Sequence, residues 1–238
     1  MKKVLCYLLS ICLVFGSFTI CFAESLDSSR LWTDTFLVED MTTGEVLSEN
    51  NADEPMYIAS LTKMMTALVA MDYIRQNNLN IDTETIVTDD DCMGLWDTAF
   101  GLKSNEEFTF ADAINIMLVK SVNGIAVAVA KGVAGTEESF ASLMNAKAKD
   151  LGCTNTVFQN ATGLELVSTE NYSTARDLAI IAKALMKDEY LAAVVGQESY
   201  NYSATNRRSA GTVQSSNMLY YSDQYIYAGN EKRQIKYE

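Results

Sequence analysis

Histidine is absent from all 238 residues. That excludes every hydrolytic site built on an imidazole base and removes the commonest side-chain metal ligand. Cysteine does not take its place. Five occur, and Cys6, Cys12 and Cys21 fall inside an apolar N-terminal run. Cys92 and Cys153 remain, enough for one disulfide and too few for a structural zinc site, so no metal and no cofactor is expected. Proline occurs once, at Pro55, and leaves domain boundaries unpunctuated. Beyond residue 23 no apolar run is long enough to span a bilayer, so no membrane anchor is expected within this chain.

The N-terminal run reads as a leader. Lys2 and Lys3 precede an apolar stretch from Val4 to Ile20, and Cys21-Phe22-Ala23 places small residues where a signal peptidase reads them. Residues 1–23 are therefore expected to be a secretory signal peptide, with export to the cell envelope or extracytoplasmic space. Loss of Lys2 and Lys3 takes the formal charge from −13 to −15 (−13 − 2), which disfavours nucleic acid and anionic lipid as partners. The 215 residues that follow (238 − 23) can bury one large core. Without a repeat or linker they read as one unit over 24–229, then a polar tail over 230–238 with no strand or helix pattern.

Residues 35–40 and 45–48 flank Met41-Thr42-Thr43-Gly44, which predicts a β-hairpin with a glycine-containing turn. The apolar segment from Ile58 to about Arg75 predicts a buried helix, and residues 80–108 suit loop with short strands. Three threonines then mark helix starts. Thr109 with Asp112, and Thr174 with Asp177, have capping-box spacing. Thr136 precedes Glu137 and Glu138, with Lys147, Lys149 and Gly152 at the far end, as the helix dipole favours. Gly124 to about Lys131, dense in alanine and valine, predicts a helix buried on every side. From Gly211 onward, Val213, Met218 to Tyr221 and Tyr225 to Tyr227 predict strand.

A lysine inside the first apolar segment needs a reason. Lys63 follows Ser60 by three residues, so on a helix their side chains share a face, about 5–6 Å apart at Cβ. In a helix's first turn and in apolar surroundings, desolvation and the dipole both disfavour the ammonium. A neutral lysine can take the proton of a serine, the kind of base a serine hydrolase must use when histidine is missing. The spacing alone is weak. Among 19 serines and 12 lysines chance supplies roughly one Ser-x-x-Lys pair, and a lysine snorkelling from a core helix would look the same. A second polar cluster, Lys120-Ser121-Val122-Asn123-Gly124, sits in the break between two apolar helices. Serine can relay a proton there and asparagine can hold both lysine and a substrate peptide. An ordinary interhelix turn explains this cluster too.

Together, Ser60-Leu61-Thr62-Lys63 and Ser121-Val122-Asn123 resemble the active-site motifs of penicillin-binding proteins and serine β-lactamases. Longer blocks narrow the resemblance. SLTKMMTALVA, SFASLMNAKAKDLGCTNTVFQNATGL and NYSTARDLAIIAKAL are similar to low-molecular-mass D-alanyl-D-alanine carboxypeptidases, over about residues 35–217. The resemblance implies an α+β fold of the β-lactamase/transpeptidase-like kind, a helical cluster packed on an antiparallel sheet of about five strands. It implies a serine-type D-alanyl-D-alanine carboxypeptidase acting on peptidoglycan stem peptides, with β-lactam antibiotics as inhibitors. Ser60 would be the nucleophile, Lys63 the general base, Ser121 a proton shuttle and Asn123 a substrate-binding residue. The Ser60 backbone amide would supply half of an oxyanion hole, and Phe158, Asn160, Gly163 and Leu164 would support the cleft.

Two departures accompany the resemblance. Ile58 and Ala59 precede Ser60 where the family usually has proline. The third motif, Lys-Thr-Gly, does not follow Asn217, because only Lys232 and Lys236 occur there and neither precedes Thr-Gly. On this resemblance the chain stops before that motif, which implies missing C-terminal sheet strands, a lost carboxylate-binding lysine and impaired activity. Loss of one oxyanion donor typically lowers the rate by about 10²–10³. A class A β-lactamase is the alternative enzyme, disfavoured by Val122, where that class carries aspartate. An exported remnant that binds cell-wall peptide without turnover is the non-enzyme alternative.

Overall fold

The structure is a computed structural model that describes residues 33–95, 100–164, 170–217, 220, 225–228 and 231–234. The expected signal peptide lies outside them, as do Met218, Leu219 and Tyr221 of the expected C-terminal strand. The first apolar segment opens with a 3-10 turn, Ala59–Leu61, that runs into helix α1 (Thr62–Gln76). The predicted caps then appear in order. Thr109 Oγ1 accepts the Asp112 N–H at 3.0 Å to open α2 (Phe110–Lys120), and α3 (Asn123–Ala134) follows directly. Thr136 Oγ1 accepts from Ser139 N at 3.1 Å to open α4 (Glu137–Leu151), which ends on a left-handed Gly152. Thr174 Oγ1 accepts from Asp177 N at 3.1 Å to open α5 (Ala175–Lys187). Each cap satisfies an amide that a helix end leaves orphaned and is worth about 1 kcal/mol.

Both capping aspartates also reach out of their helices. Asp112 accepts from the Tyr200 hydroxyl at 2.8 Å, and Asp177 accepts from Asn155 N and Thr156 Oγ1, each at 2.8 Å. The first turn of each helix is thereby fastened to the rest of the fold. One further helix, α6 (Glu189–Val195, 7 residues), has no counterpart among the predicted elements. Asp188 caps it through the N–H groups of Tyr190 and Leu191, and it is too short to show an apolar period.

Helix α3 sits at the centre, buried from Asn123 to Ala130 against α1, α2 and α4. Its start depends on Gly124, where a Cβ would lie 2.2 Å from the Cys92 carbonyl oxygen, so only glycine lets the chain before Leu95 cross so closely. Around it Ile114, Met117, Ile125, Phe140, Met144 and Ile181 are almost wholly enclosed. Each such side chain contributes about 1.5–3 kcal/mol on burial, which makes the helical cluster the main source of stability. Cys92 and Cys153 are both buried free thiols, and burial pushes them up to about 12 and about 11, respectively.

The strands pair antiparallel around this cluster. β1 (Phe36–Glu39) and β2 (Val46–Asn50) form the predicted hairpin, which α5 holds through Arg176 to Glu49 at 2.7 Å and through Lys183 to Glu39. β3 (Met56–Tyr57) pairs with β6 (Tyr172–Ser173), and β4 (Thr85–Val87) with β5 (Glu107–Thr109). β7 (Ser199–Tyr202) pairs with β8 (Gly211–Gln214), and β9 (Tyr225–Ala228) with β10 (Glu231–Gln234). Among the described residues these are five two-stranded ladders, which with the helices give the α+β class. The patternless tail is corrected at β10. Ladder hydrogen bonds are made by backbone groups, so Glu-Lys-Arg-Gln can pair without apolar alternation, and Gly229-Asn230 was the hairpin signal in the sequence. No helix among the described residues is long and apolar enough to cross a membrane.

One buried ion pair fastens the segment that leads to the central helices. Arg208 donates to both oxygens of the fully buried Glu106, and its Nη1 and Nη2 reach the Phe100 and Gly101 carbonyls at 3.0 and 2.9 Å. Burial pushes the Glu106 carboxyl up, but Arg208, Thr205 and the Lys103 N–H outweigh it and hold it below its ordinary value. A depressed carboxylate adds stability above its unfolded-state pKa and loses that stability as pH falls through its folded one. The melting temperature is therefore expected to fall through the acid range. Glu106→Gln should flatten that dependence and lose about 3–5 kcal/mol near neutral pH, because Arg208 is left unpaired. Thermal melts of both chains across pH check the two effects together.

Candidate active site

Lys63 is 2% exposed, so the lysine in the apolar segment does point inward. Its Nζ lies 3.0 Å from Ser60 Oγ, 2.6 Å from Asn123 Oδ1 and 3.0 Å from the Thr162 carbonyl oxygen. Ser60, on the 3-10 turn, is exposed. Ser60 is thus open to solvent while the amine beside it is buried.

These contacts decide which way a proton can move. An ammonium has three donors and would fill all three contacts; a neutral amine has two donors and one lone pair. The Thr162 carbonyl can only accept. The Asn123 amide is oriented by its other end, where Nδ2 donates to the Leu95 carbonyl at 2.8 Å, so its Oδ1 faces the lysine and also only accepts. In the neutral amine both donors are thus taken. Of these three partners only Ser60 has a proton to give, and it is toward Ser60 that the lone pair of a neutral amine is set among them.

The junction of α2 and α3 brings the second cluster to the same place. Ser121 ends α2 in the left-handed region, with φ 65° and ψ 35°, and two residues later Asn123 opens α3. Ser60, Lys63 and Ser121 line one cleft of about 460 Å³, walled by Met64, Leu118 and Val195. Among the described residues lining it, Lys63 is the only Lys, Arg, Asp or Glu. Of the four site residues expected from the sequence, Ser60, Lys63 and Asn123 are hydrogen-bonded together and Ser121 shares the cleft.

Phe158, Asn160, Gly163 and Leu164, expected to support the cleft, belong to the loop that delivers Thr162. Gly163 has φ +80°, and a Cβ there would sit 1.7 Å from the Ala59 carbonyl oxygen. The loop backbone thus lies against the turn that presents Ser60, closer than any side chain permits. Two participants were invisible in the sequence, the carbonyls of Thr162 and Leu95, because every residue owns one and no motif marks which is used. The cleft also takes Val195 from the unanticipated α6, and Ser216, whose N–H donates to the Val119 carbonyl at 2.8 Å.

The chain matches the D-alanyl-D-alanine carboxypeptidase family over residues 23–230. It is 37% identical over 172 residues to D-alanyl-D-alanine carboxypeptidase DacC of Escherichia coli (strain K12), covering 70% of this chain and 41% of that protein. Against DacF of Bacillus subtilis (strain 168) it is 34% identical over 167 residues, covering 70% and 42%. The chain therefore spans about two fifths of the length of these curated relatives. Among solved structures, the D-alanyl-D-alanine carboxypeptidase of Mycobacterium tuberculosis H37Rv superposes with a TM-score of 0.69 at 26% identity, over 78% of this chain and 67% of that one. Penicillin-binding protein D2 of Listeria monocytogenes in its ampicillin-bound form gives 0.67 at 27% identity, over 79% and 75%. A family match that runs through both polar motifs, on a fold that superposes on its solved members, means that this chain belongs to the D-alanyl-D-alanine carboxypeptidase family.

Proposed function

We propose that this chain is a serine-type D-alanyl-D-alanine carboxypeptidase acting on peptidoglycan stem peptides. It is exported by a signal peptide over residues 1–23 and carries its catalytic unit over 24–229. The observation that supports this most is the hydrogen bonding of Lys63, whose contacts to Asn123 Oδ1 and the Thr162 carbonyl go to groups that only accept, while its contact to Ser60 Oγ goes to a group with a proton to give. Lys63 Nζ takes the Ser60 proton as Oγ attacks the carbonyl carbon of the penultimate D-alanine. The Ser60 backbone N–H meets the charge that develops on the carbonyl oxygen. The C–N bond then breaks, and the terminal D-alanine leaves as an amine that takes a proton from the Ser121 hydroxyl, which Lys63 replenishes. Asn123 holds the lysine and borders the peptide. Water hydrolyses the remaining Ser60 ester. The ampicillin- and cefotaxime-bound forms of the Listeria protein support β-lactams as acylating inhibitors of this chain.

After mixing with benzylpenicillin, the folded chain is expected to gain the mass of one penicilloyl group, mapped to Ser60, and Ser60→Ala to gain none. A folded chain without an adduct, or with one elsewhere, overturns the proposal. Rapid penicillin hydrolysis with no lasting adduct would move the assignment to the β-lactamase alternative.

A further inference from the structure

We infer that Asn171 is a positioning residue for Lys63, fastening the loop that supplies the Thr162 carbonyl to the helical turn that carries the lysine. The inference rests on Lys63 being the base, and its test is read separately from catalysis. Asn171 is 4% exposed and lies in none of the motifs that carry the chemistry. Its Nδ2 donates to Thr62 Oγ1 and to the Asn160 carbonyl, each at 2.9 Å, and its Oδ1 accepts from Gln159 N at 2.7 Å and Asn160 N at 3.2 Å. One amide thus joins the residue beside Lys63 to the start of the loop. Asn160 carries the link onward, its Oδ1 accepting from Thr162 N and Thr162 Oγ1, each at 3.0 Å, and from Gly163 N at 2.7 Å. Two buried asparagines therefore lie between Thr62 and the carbonyl that faces Lys63.

The placement matters because a carbonyl binds an ammonium more strongly than an amine. If the Thr162 oxygen is held in place, it sets the direction of the lone pair and also the proton affinity of the base. A loop that was merely folded would not need this end fastened. The same loop supplies its own control in Asn145 on α4. Asn145 Nδ2 donates to the Phe158 carbonyl at 2.7 Å and its Oδ1 accepts from Phe158 N at 2.8 Å, a two-bond clamp on the same loop four residues before Thr162.

The test uses the full chain labelled with carbon-13 at lysine Cε, the Lys63 signal being identified by its loss in Lys63→Arg. Its titration is followed in the wild type and in Thr62→Val, Asn171→Ala and Asn145→Ala. Thr62→Val keeps the shape and removes the hydroxyl that accepts from Asn171, so it decides the matter alone if Asn171→Ala does not fold. None of these three changes a charge. Asp112 and Lys120 on α2, Lys131 on α3, Glu137 on α4 and Asp177 on α5, on the helices packed against α1, therefore act equally in all of them. The midpoint is expected to fall by about one unit in Thr62→Val and Asn171→Ala, the scale of one charge-assisted hydrogen bond. Asn145→Ala is expected to titrate with the wild type. An unchanged or raised midpoint, or an equal fall in Asn145→Ala, overturns the inference. Benzylpenicillin acylation of the same proteins keeps the two ideas apart. A midpoint that depends on Asn171 in a chain that never acylates retains the positioning role and removes the enzyme assignment; acylation at Ser60 with an unmoved midpoint does the reverse.

Discussion

Lys63→Met is expected to slow acylation of Ser60 by benzylpenicillin about 10²–10⁴-fold, the range that a positioned general base supplies. Methionine approximates the length and shape of lysine but offers nothing basic to Ser60 Oγ. Among the described residues lining the cleft, Lys63 is the only Lys, Arg, Asp or Glu. Lys63→Arg should not rescue the rate, because a guanidinium stays protonated and cannot accept. Thermal stability should move far less than the rate. Removing a buried amine relieves its desolvation, while Asn123 Oδ1 and the Thr162 carbonyl each lose a donor, and the two effects oppose. Time courses of adduct mass, with melts of the same samples, test both statements. A variant that acylates within about tenfold of the wild type, against that expected range, would remove Lys63 from the role of base.

Gly163→Ala is expected to destabilise the chain by about 3–5 kcal/mol, within the large class of single-residue effects. The new Cβ would stand 1.7 Å from the Ala59 carbonyl oxygen, 2.3 Å from its carbon and 2.7 Å from Thr62 Oγ1. Two of those atoms are backbone, so no rotamer change relieves the overlap. The left-handed φ of +80° adds about 1–2 kcal/mol for any residue with a Cβ. The loop can escape only by moving off the turn that presents Ser60, and Thr162 moves with it. Acylation should therefore fall in the molecules that remain folded. Gly152→Ala separates the two causes, since Gly152 is also left-handed, at φ +89°, but meets nothing within 4 Å. Urea denaturation of both variants should show Gly163→Ala losing clearly more. Equal losses would mean that the loop and the turn are not in contact.

What the residues reveal on their own follows the range over which they act. Ser60 and Lys63 meet because three positions on a helical turn bring them together, and Thr109, Thr136 and Thr174 cap for an equally local reason. Those contacts were legible. Asn123 lies 60 positions from Lys63; its place in a polar break between two apolar helices offered it as a partner, and the resemblance of Ser121-Val122-Asn123 to a known motif turned that into an expectation. The Thr162 carbonyl is 99 positions from Lys63 and that of Leu95 is 28 from Asn123, and a carbonyl has no identity in a sequence. Asn171 opens one of the blocks that carry the resemblance, but its role was hidden in the same way, its partners being mostly backbone groups of a loop whose path had to be known first. Helix α6 is under two turns long, and β10 pairs through its backbone with polar residues, so neither leaves the periodic trace by which elements are found.

Ala59 and Ser121 both line the cleft, and both hold a positive φ, 43° and 65°. A side chain in that region is disfavoured by roughly 1 kcal/mol or more relative to glycine. The two positions therefore answer differently to different selective pressures. Selection for heat resistance alone should drift toward glycine at both, since each exchange relaxes the backbone. Selection for acylation should accept glycine at 59, where only a methyl is lost, and refuse it at 121, where the hydroxyl goes with it. Among lineages of this chain, the residue at 121 would record whether the chemistry was still in use.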